Sequence, residues 1–259
     1  SLGDIYINDA FSCSHRKQAS IHKITKFIKK SYGGPLLKKE VEAINSIIVN
    51  KKKPSTCIIG GSKISTKINV ISNLMKSVDN IVIVGAMANN FLIYEDVKIG
   101  KSLVEKNTKE IIENIYKEAK ENKCKIVIPI DFNVSLNFKG SGSPKNSGEI
   151  DDKDIILDIG PKSIKIIEDV IDKSNTVLWN GPAGYFENKN FANGTNAIAK
   201  KISENTNRKS LVSIIGGGDT VSAINKIETK LLFSHLSTAG GAFLEFLEGK
   251  DLPGLSVLK

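Results

Sequence analysis

The chain has 259 residues, 40% of them hydrophobic and 25% charged, which describes an ordinary globular protein with room for a substantial core. No apolar run approaches the roughly 20 residues that span a bilayer, and Cys13, Cys57 and Cys124 are far apart without CxxC spacing; a soluble, unsecreted, cytoplasmic protein without disulfides or zinc is expected. The net charge of +9 does not point to nucleic acid, because only Arg16 and Arg208 among 37 basic residues are arginine and the lysines are scattered rather than gathered on one stretch.

From the N-terminus, residues 3–9 (GDIYIND) read as a strand, 14–30 as an irregular or helical basic stretch, and 33–50 as a long helix with Pro35 in its first turn and a stripe of Leu37, Val41, Ile44 and Ile48. One strand cannot form a domain, so this front end is expected to be the close of a unit that begins upstream. Beyond it, short Ile/Val-rich runs at 55–61, 80–86, 125–131, 175–181 and 211–218 read as strands buried on both faces. Amphipathic stretches alternate with them: Ile68, Ile71 and Met75; Thr108, Ile112, Ile115 and Ala119; Ile164, Ile167 and Ile171; Phe191, Thr195, Ile198 and Ile202. The alternation predicts an α/β fold, a doubly wound (Rossmann-like) parallel sheet with helices on both faces, plus the remnant of a second α/β domain. Residues 140–154, rich in Gly, Ser and charge, are expected to be an exposed loop.

In such a sheet, ligands bind beyond the carboxyl ends of the strands. The unusual residues collect there: Gly60, Gly61, Ser62 and Lys63; Gly85 and Ala86; Asn180, Gly181, Pro182 and Gly184; and Gly216, Gly217, Gly218, Asp219 and Thr220. Glycines let backbone approach a ligand, and the helix that follows presents free N–H groups, a combination suited to phosphate. Asp219 fits an N-cap, a Mg²⁺ ligand beside bound phosphates, or both. Neither GxxxxGK[ST] nor GxGxxG is present, the latter failing at Val221. Lys63 and Lys67 are four apart, so a helix starting near Ser62 would put both ammonium groups on one face to neutralise a phosphoryl group in transit.

The segments NDAFSCSHRKQAS, GPLLKKEVEAI, GGSKISTKI, DIGPKS, LWNGPAGYFE, IIGGGDT and HLSTAGGAFLEFLEG, in this order, resemble phosphoglycerate kinase. The resemblance covers the whole chain and implies four parts: residues 1–32, the end of a 3-phosphoglycerate-binding domain; 33–50, an interdomain helix; 51–236, a nucleotide-binding domain; and 237–259, a hinge and return segment. It implies a monomeric hinge-bending kinase that transfers a phosphoryl group reversibly between 1,3-bisphosphoglycerate and ADP, giving 3-phosphoglycerate and ATP, with Mg²⁺ carried by the nucleotide and no nucleic-acid or membrane partner. The alternative is a truncated, non-catalytic Mg-nucleotide module.

By the same resemblance, Lys63, Gly218 and Gly241 serve the transferred group, while Lys67, Gly217, Gly218 and Thr220 serve the nucleotide phosphates. Asp219 holds the metal. Gly61, Gly85 and Ala86, helped by Leu103, border the adenine slot, Ser62 belongs to the nucleotide-binding set, Asn180, Pro182 and Glu187 face the ribose and phosphates, and Arg16, Gly240 and Gly241 meet the acid substrate. Ala239 and Ala86 stand where the family has glycine, and IPIDFNVSLNF is looser than the family's segment, so nothing is assigned there.

Overall fold

A computed structural model describes residues 3–237 and 239–258; positions 1, 2, 238 and 259, at or inside the expected boundary segments 1–32 and 237–259, lie outside the described residues. The elements in chain order are β1 (Ile5–Asn8), β2 (Lys30–Gly33), α1 (Pro35–Ile48), β3 (Ser55–Ile59), α2 (Ile68–Met75), β4 (Asn80–Ile83), α3 (Ala88–Tyr94), α4 (Lys109–Glu121), β5 (Lys125–Val127), β6 (Asp131–Ser135), β7 (Ser143–Asn146), β8 (Ile155–Ile159), α5 (Pro161–Asp172), β9 (Thr176–Asn180), α6 (Asn193–Asn207), β10 (Val212–Gly216), α7 (Gly218–Asn225), β11 (His235–Leu236), α8 (Gly241–Leu247) and α9 (Pro253–Ser256).

Six strands form the main sheet in the order β11-β10-β9-β3-β4-β5, every neighbouring pair parallel. β3 and β9 at its centre are buried at every residue, which is why their sequences are continuous rather than alternating. Successive side chains go to opposite faces. Cys57 and Ile59 join Ile44, Ile71, Leu74, Ile112 and Phe243 on one face, so α1, α2, α4 and α8 cover that side. Ile58, Val177 and Trp179 join Ile167, Ile171, Ile198 and Ile202 on the other, covered by α5 and α6. Each such buried aliphatic side chain contributes about 1.5–3 kcal/mol. From β3 the chain winds outward through β4 to β5, then returns to β9 and winds the other way, so the strand order reverses between β3 and β9. That reversal opens a crevice at the strand ends.

Two helices start in the same way. Neither Gly34 before Pro35 nor Gly160 before Pro161 supplies a side-chain cap. A carboxylate from a distant segment does so instead: Asp9, just past β1, accepts the Leu37 N–H at 2.8 Å, and Asp131, the first residue of β6, accepts those of Lys162 (2.9 Å) and Ser163 (2.7 Å). A Cβ at residue 34 or 160 would overlap that carboxylate, so the glycine makes room for the cap.

Three expectations need correction. The front strand has a partner, because β1 pairs in parallel with β2, which begins at the last residue of the basic stretch. Residues 140–154 are not all loop: β7 pairs antiparallel with β6 in a three-stranded sheet β7-β6-β8, followed by a short 3₁₀ turn at Ser147–Glu149. No helix starts near Ser62; α2 begins only at Ile68. The hydroxyl of Thr66 donates to the Lys63 carbonyl (2.9 Å) and the Ser65 N–H is taken by Glu105 (3.1 Å), so local side-chain bonds replace a first helical turn. The segment after α8 returns to the front of the chain: Gly254 N–H donates to the Ser14 carbonyl (2.7 Å), and Asn8 Nδ2 to the Gly254 carbonyl (3.0 Å).

Candidate functional site

Two cavities that share walls lie over the β3/β9 reversal, one of about 380 Å³ and mainly apolar, the other of about 300 Å³ and rich in lysine and glycine. Gly61, Ser62, Pro182 and Asp219 line both, so the cavities are compartments of one crevice. Lys63, Lys67, Asn180, Gly217, Gly218, Thr220 and Gly240 belong to the polar compartment. Gly85, Ala86, Leu103 and Glu187 belong to the apolar one, which separates Glu187 from Asn180. Arg16 and Gly241 line neither; Arg16 Nε donates to His15 Nε2 at 3.3 Å, and a Cβ on Gly241 would stand 3.0 Å from that same nitrogen, so both adjoin Gly240 at the start of α8.

The floor is a close contact of two strand exits. Gly60 and Gly181 leave β3 and β9 so near each other that a Cβ on either would strike backbone of the other side, and Gly181 has φ +101°. The Gly181 N–H donates to Thr220 Oγ1 (2.7 Å) and its carbonyl accepts Trp179 Nε1 (2.7 Å). Thr220 is fully buried, so its hydroxyl ties α7 to the floor. Asn180 is similarly engaged: Oδ1 accepts from Lys67 Nζ (2.6 Å) and Nδ2 donates to the Gly216 carbonyl (2.9 Å). That amide fixes Lys67, which the lysine spacing had assigned to a helix face.

Charges in the polar compartment are arranged for an anion that carries a cation. Burial holds the Lys67 ammonium below the ordinary lysine range, while Cys57, Asp219 and Glu248 pull it back upward. Lys63 is exposed. Asp219 is the second residue of α7, whose N-cap is Gly217, so it is not the cap. Its exposed carboxylate makes no hydrogen bond or ion pair within the described residues and stands where the crevice compartments meet. Among the described residues, no cluster of three or more His, Cys, Asp or Glu could hold a metal by itself. One open carboxylate facing a phosphate-sized compartment suits Mg²⁺, which is commonly held by one or two carboxylates together with phosphate oxygens and water.

The apolar compartment contains residues that carry no functional signal in their sequence context, among them Phe132, Phe138, Tyr185 and Asp158. Asp158 is 1% exposed; its carboxylate accepts the N–H groups of Ile159 and of Gly194 at the start of α6, both at 2.9 Å. Burial outweighs these donors and pushes its carboxyl up to about 7. Since the folded value exceeds the unfolded one of 3.8, the stabilising contribution of this group is complete below about pH 4 and lost as pH rises through about 7. Urea unfolding from pH 4 to 8 should therefore show a wild-type decline, on the order of a few kcal/mol, that Asp158→Asn lacks. Parallel pH dependences in the two proteins would refute this.

A family model described as "Phosphoglycerate kinase" matches residues 1–250. The phosphoglycerate kinases of Wolbachia sp. subsp. Drosophila simulans (strain wRi) and of Bartonella tribocorum (strain CIP 105476 / IBS 506) are 47% and 44% identical over 261 and 258 residues, covering 100% and 99% of this chain. The structure of phosphoglycerate kinase from Coxiella burnetii superposes with a TM-score of 0.92 at 37% identity over 98% of the chain, and that from Pyrococcus horikoshii OT3 with 0.82 at 28% over 98%. The chain spans about 65% of the length of the curated relatives it matches, and 65% and 64% of the two solved chains.

Proposed function

Since this chain belongs to the phosphoglycerate kinase family, we propose that its crevice binds Mg-ADP or Mg-ATP and serves the reversible phosphoryl transfer between 1,3-bisphosphoglycerate and ADP that gives 3-phosphoglycerate and ATP. The observation that carries this reading is the convergence of Lys63, Lys67, Asp219 and the start of α7 on one compartment that opens into an apolar one. The polar compartment would take the phosphates and the apolar one the base.

In the forward direction a β-phosphate oxygen of ADP attacks the acyl phosphate of 1,3-bisphosphoglycerate; its P–O bond to the carboxyl breaks and the carboxylate of 3-phosphoglycerate leaves. No proton need be moved by the protein. The demand on the chain is positioning and neutralisation of charge. Lys67, held by Asn180, sets one cation in place at the phosphates; Lys63 stands free to follow the transferred group. The backbone N–H groups of Gly218 and Asp219 at the start of α7 add partial positive charge. Asp219 would hold Mg²⁺, which when bound neutralises and orients the phosphate oxygens. Gly240 and Gly241, beside His15 and Arg16, would receive the acid substrate's end of the transfer.

The four-part division 1–32, 33–50, 51–236 and 237–259, a hinge that closes it, a monomeric state and a cytoplasmic location belong to the same proposal. The contacts of Gly254 with Ser14 and Asn8 support the return of the last segment. No helix among the described residues is long and apolar enough to cross a membrane. Calorimetry of the 259-residue chain with Mg-ADP, beside a coupled kinase assay on the same sample, tests the reading. Saturable one-to-one binding that requires Mg²⁺ is expected; its absence would overturn the proposal, and binding without turnover would assign this chain the nucleotide half alone.

A further inference from the structure

Lys63 stands on a stretch with little of its own to hold it. Between Ser62 and Lys67 the backbone is not yet helical, α2 starting only at Ile68, and the exposed Lys63 side chain lines the polar compartment. Two local bonds lie within the stretch: the Thr66 hydroxyl donates to the Lys63 carbonyl (2.9 Å), and the Lys67 N–H to the Ile64 carbonyl (2.9 Å). Neither bond reaches outside it.

Glu105 makes the outside tie. It lies 40 residues after Ser65 in the segment between α3 and α4, lines neither compartment, and accepts the Ser65 N–H at 3.1 Å. The Ser65 hydroxyl, then the Ser65 and Ile64 N–H groups and the Lys63 charge, hold its carboxyl below the ordinary carboxylate range despite the opposing effect of burial. It is therefore ionised at neutral pH. Glu105 is itself held: its N–H donates to Asn90 Oδ1 (3.0 Å), which also takes the Thr108 hydroxyl (3.3 Å), and Asn89 Nδ2 donates to the Leu103 carbonyl (2.9 Å). Asn89 and Asn90 belong to α3 and are 1% exposed, so the tie is anchored in buried structure. A continuous path runs from α3 through Asn90 and Glu105 to the residues just after Lys63.

Resting on the reading of the crevice as a phosphoryl-transfer site, we propose that Glu105 is a positioning residue for Lys63, fixing through Ser65 the backbone from which that ammonium reaches the transferred phosphoryl group. The sign of its effect separates this role from bulk charge. A carboxylate near a lysine that meets phosphate repels the incoming anion, so by charge alone its removal tightens nucleotide binding. Positioning demands the reverse, because a lysine on a loosened stretch loses more conformational freedom on contact.

Calorimetry of the 259-residue chain with Mg-ATP and Mg-ADP isolates the phosphoryl group that only ATP carries. Lys63→Ala should weaken Mg-ATP by about tenfold, the share of one charge-assisted contact, and Mg-ADP by less than about twofold. Glu105→Ala should weaken Mg-ATP by about fivefold, leave Mg-ADP within about twofold, and add nothing in the Lys63→Ala background. Glu105→Gln keeps an acceptor for the Ser65 N–H and should bind Mg-ATP within about twofold of wild type. Retained Mg-ADP binding also shows that each variant is folded. Unchanged or tighter Mg-ATP binding by Glu105→Ala, equal weakening of both nucleotides, or equal losses in Glu105→Ala and Glu105→Gln overturns the positioning role while the nucleotide reading stands. The same follows if Lys63→Ala has no selective effect or leaves that of Glu105→Ala undiminished. Failure of the wild-type chain to bind either nucleotide overturns the reading itself, and the role of Glu105 with it.

Discussion

Asp219→Ala is expected to lower phosphoryl transfer at least about 100-fold, the order of loss seen when one preorganised electrostatic group is taken from such a site. The melting temperature should fall by no more than about 3 °C, because the carboxylate is exposed and helps the fold only through its place in the first turn of α7. Nothing else within the described residues hydrogen-bonds to it, so no buried donor is orphaned by the change. Lys67 loses a neighbouring negative charge, which deepens its preference for the neutral form at high pH. Turnover of the variant in a coupled assay with saturating 1,3-bisphosphoglycerate, beside thermal unfolding followed by circular dichroism, checks both halves. Near-normal rates would remove the assigned role from Asp219, and a collapse in melting temperature would show that the residue was holding the fold instead.

Gly181→Ala should act in the opposite sense, on the fold first. Residue 181 has φ +101°, and a Cβ there would collide with the backbone of Gly60. Relief requires moving the exits of β3 and β9 apart, which breaks the bonds from Gly181 to Thr220 and from Trp179 to Gly181. Strain and clash together should cost at least about 3 kcal/mol, lowering the melting temperature by roughly 10 °C. Gly218→Ala is the control: a Cβ at residue 218 meets nothing within 4 Å and its φ is ordinary, so that variant should melt near wild type and differ only in binding. Thermal unfolding by circular dichroism of the two variants decides; equal melting temperatures would refute the assignment of Gly181 to the floor of the crevice.

These two glycines also show how far the sequence could be read. Both follow or flank apolar runs, and position alone gives no way to tell the one that makes room for backbone from the one that faces the cleft. The main sheet was legible because Ile and Val runs such as Cys57–Ile59 and Thr176–Trp179 are buried on both faces and so carry no alternation to confuse with helix. The Lys63–Lys67 pair was legible as part of the crevice, whose polar compartment both line, and misread as helix: spacing by four implies a shared face only if the intervening backbone is helical, and Thr66 and Glu105 capture the groups that would have made it so. Asp158, Phe138 and Tyr185 were not legible as members of one wall. They reach the same compartment through the β7-β6-β8 sheet and the turn after β9, a pairing between segments about 20 to 50 residues apart in sequence, for which neither glycine nor periodicity leaves a trace.

The caps that Asp9 and Asp131 provide to α1 and α5 have a consequence for how the chain assembles. In both cases the helix start is completed by a residue about 30 positions earlier, so neither first turn can close until a strand region has docked. The Leu37 and Ser163 amides are therefore reporters of distant docking: each should exchange with deuterium at the rate of the strand that supplies its acceptor, not at that of a fraying helix end. Through Asp9, protection of α1 is coupled to the order of β1 and the residues just after it.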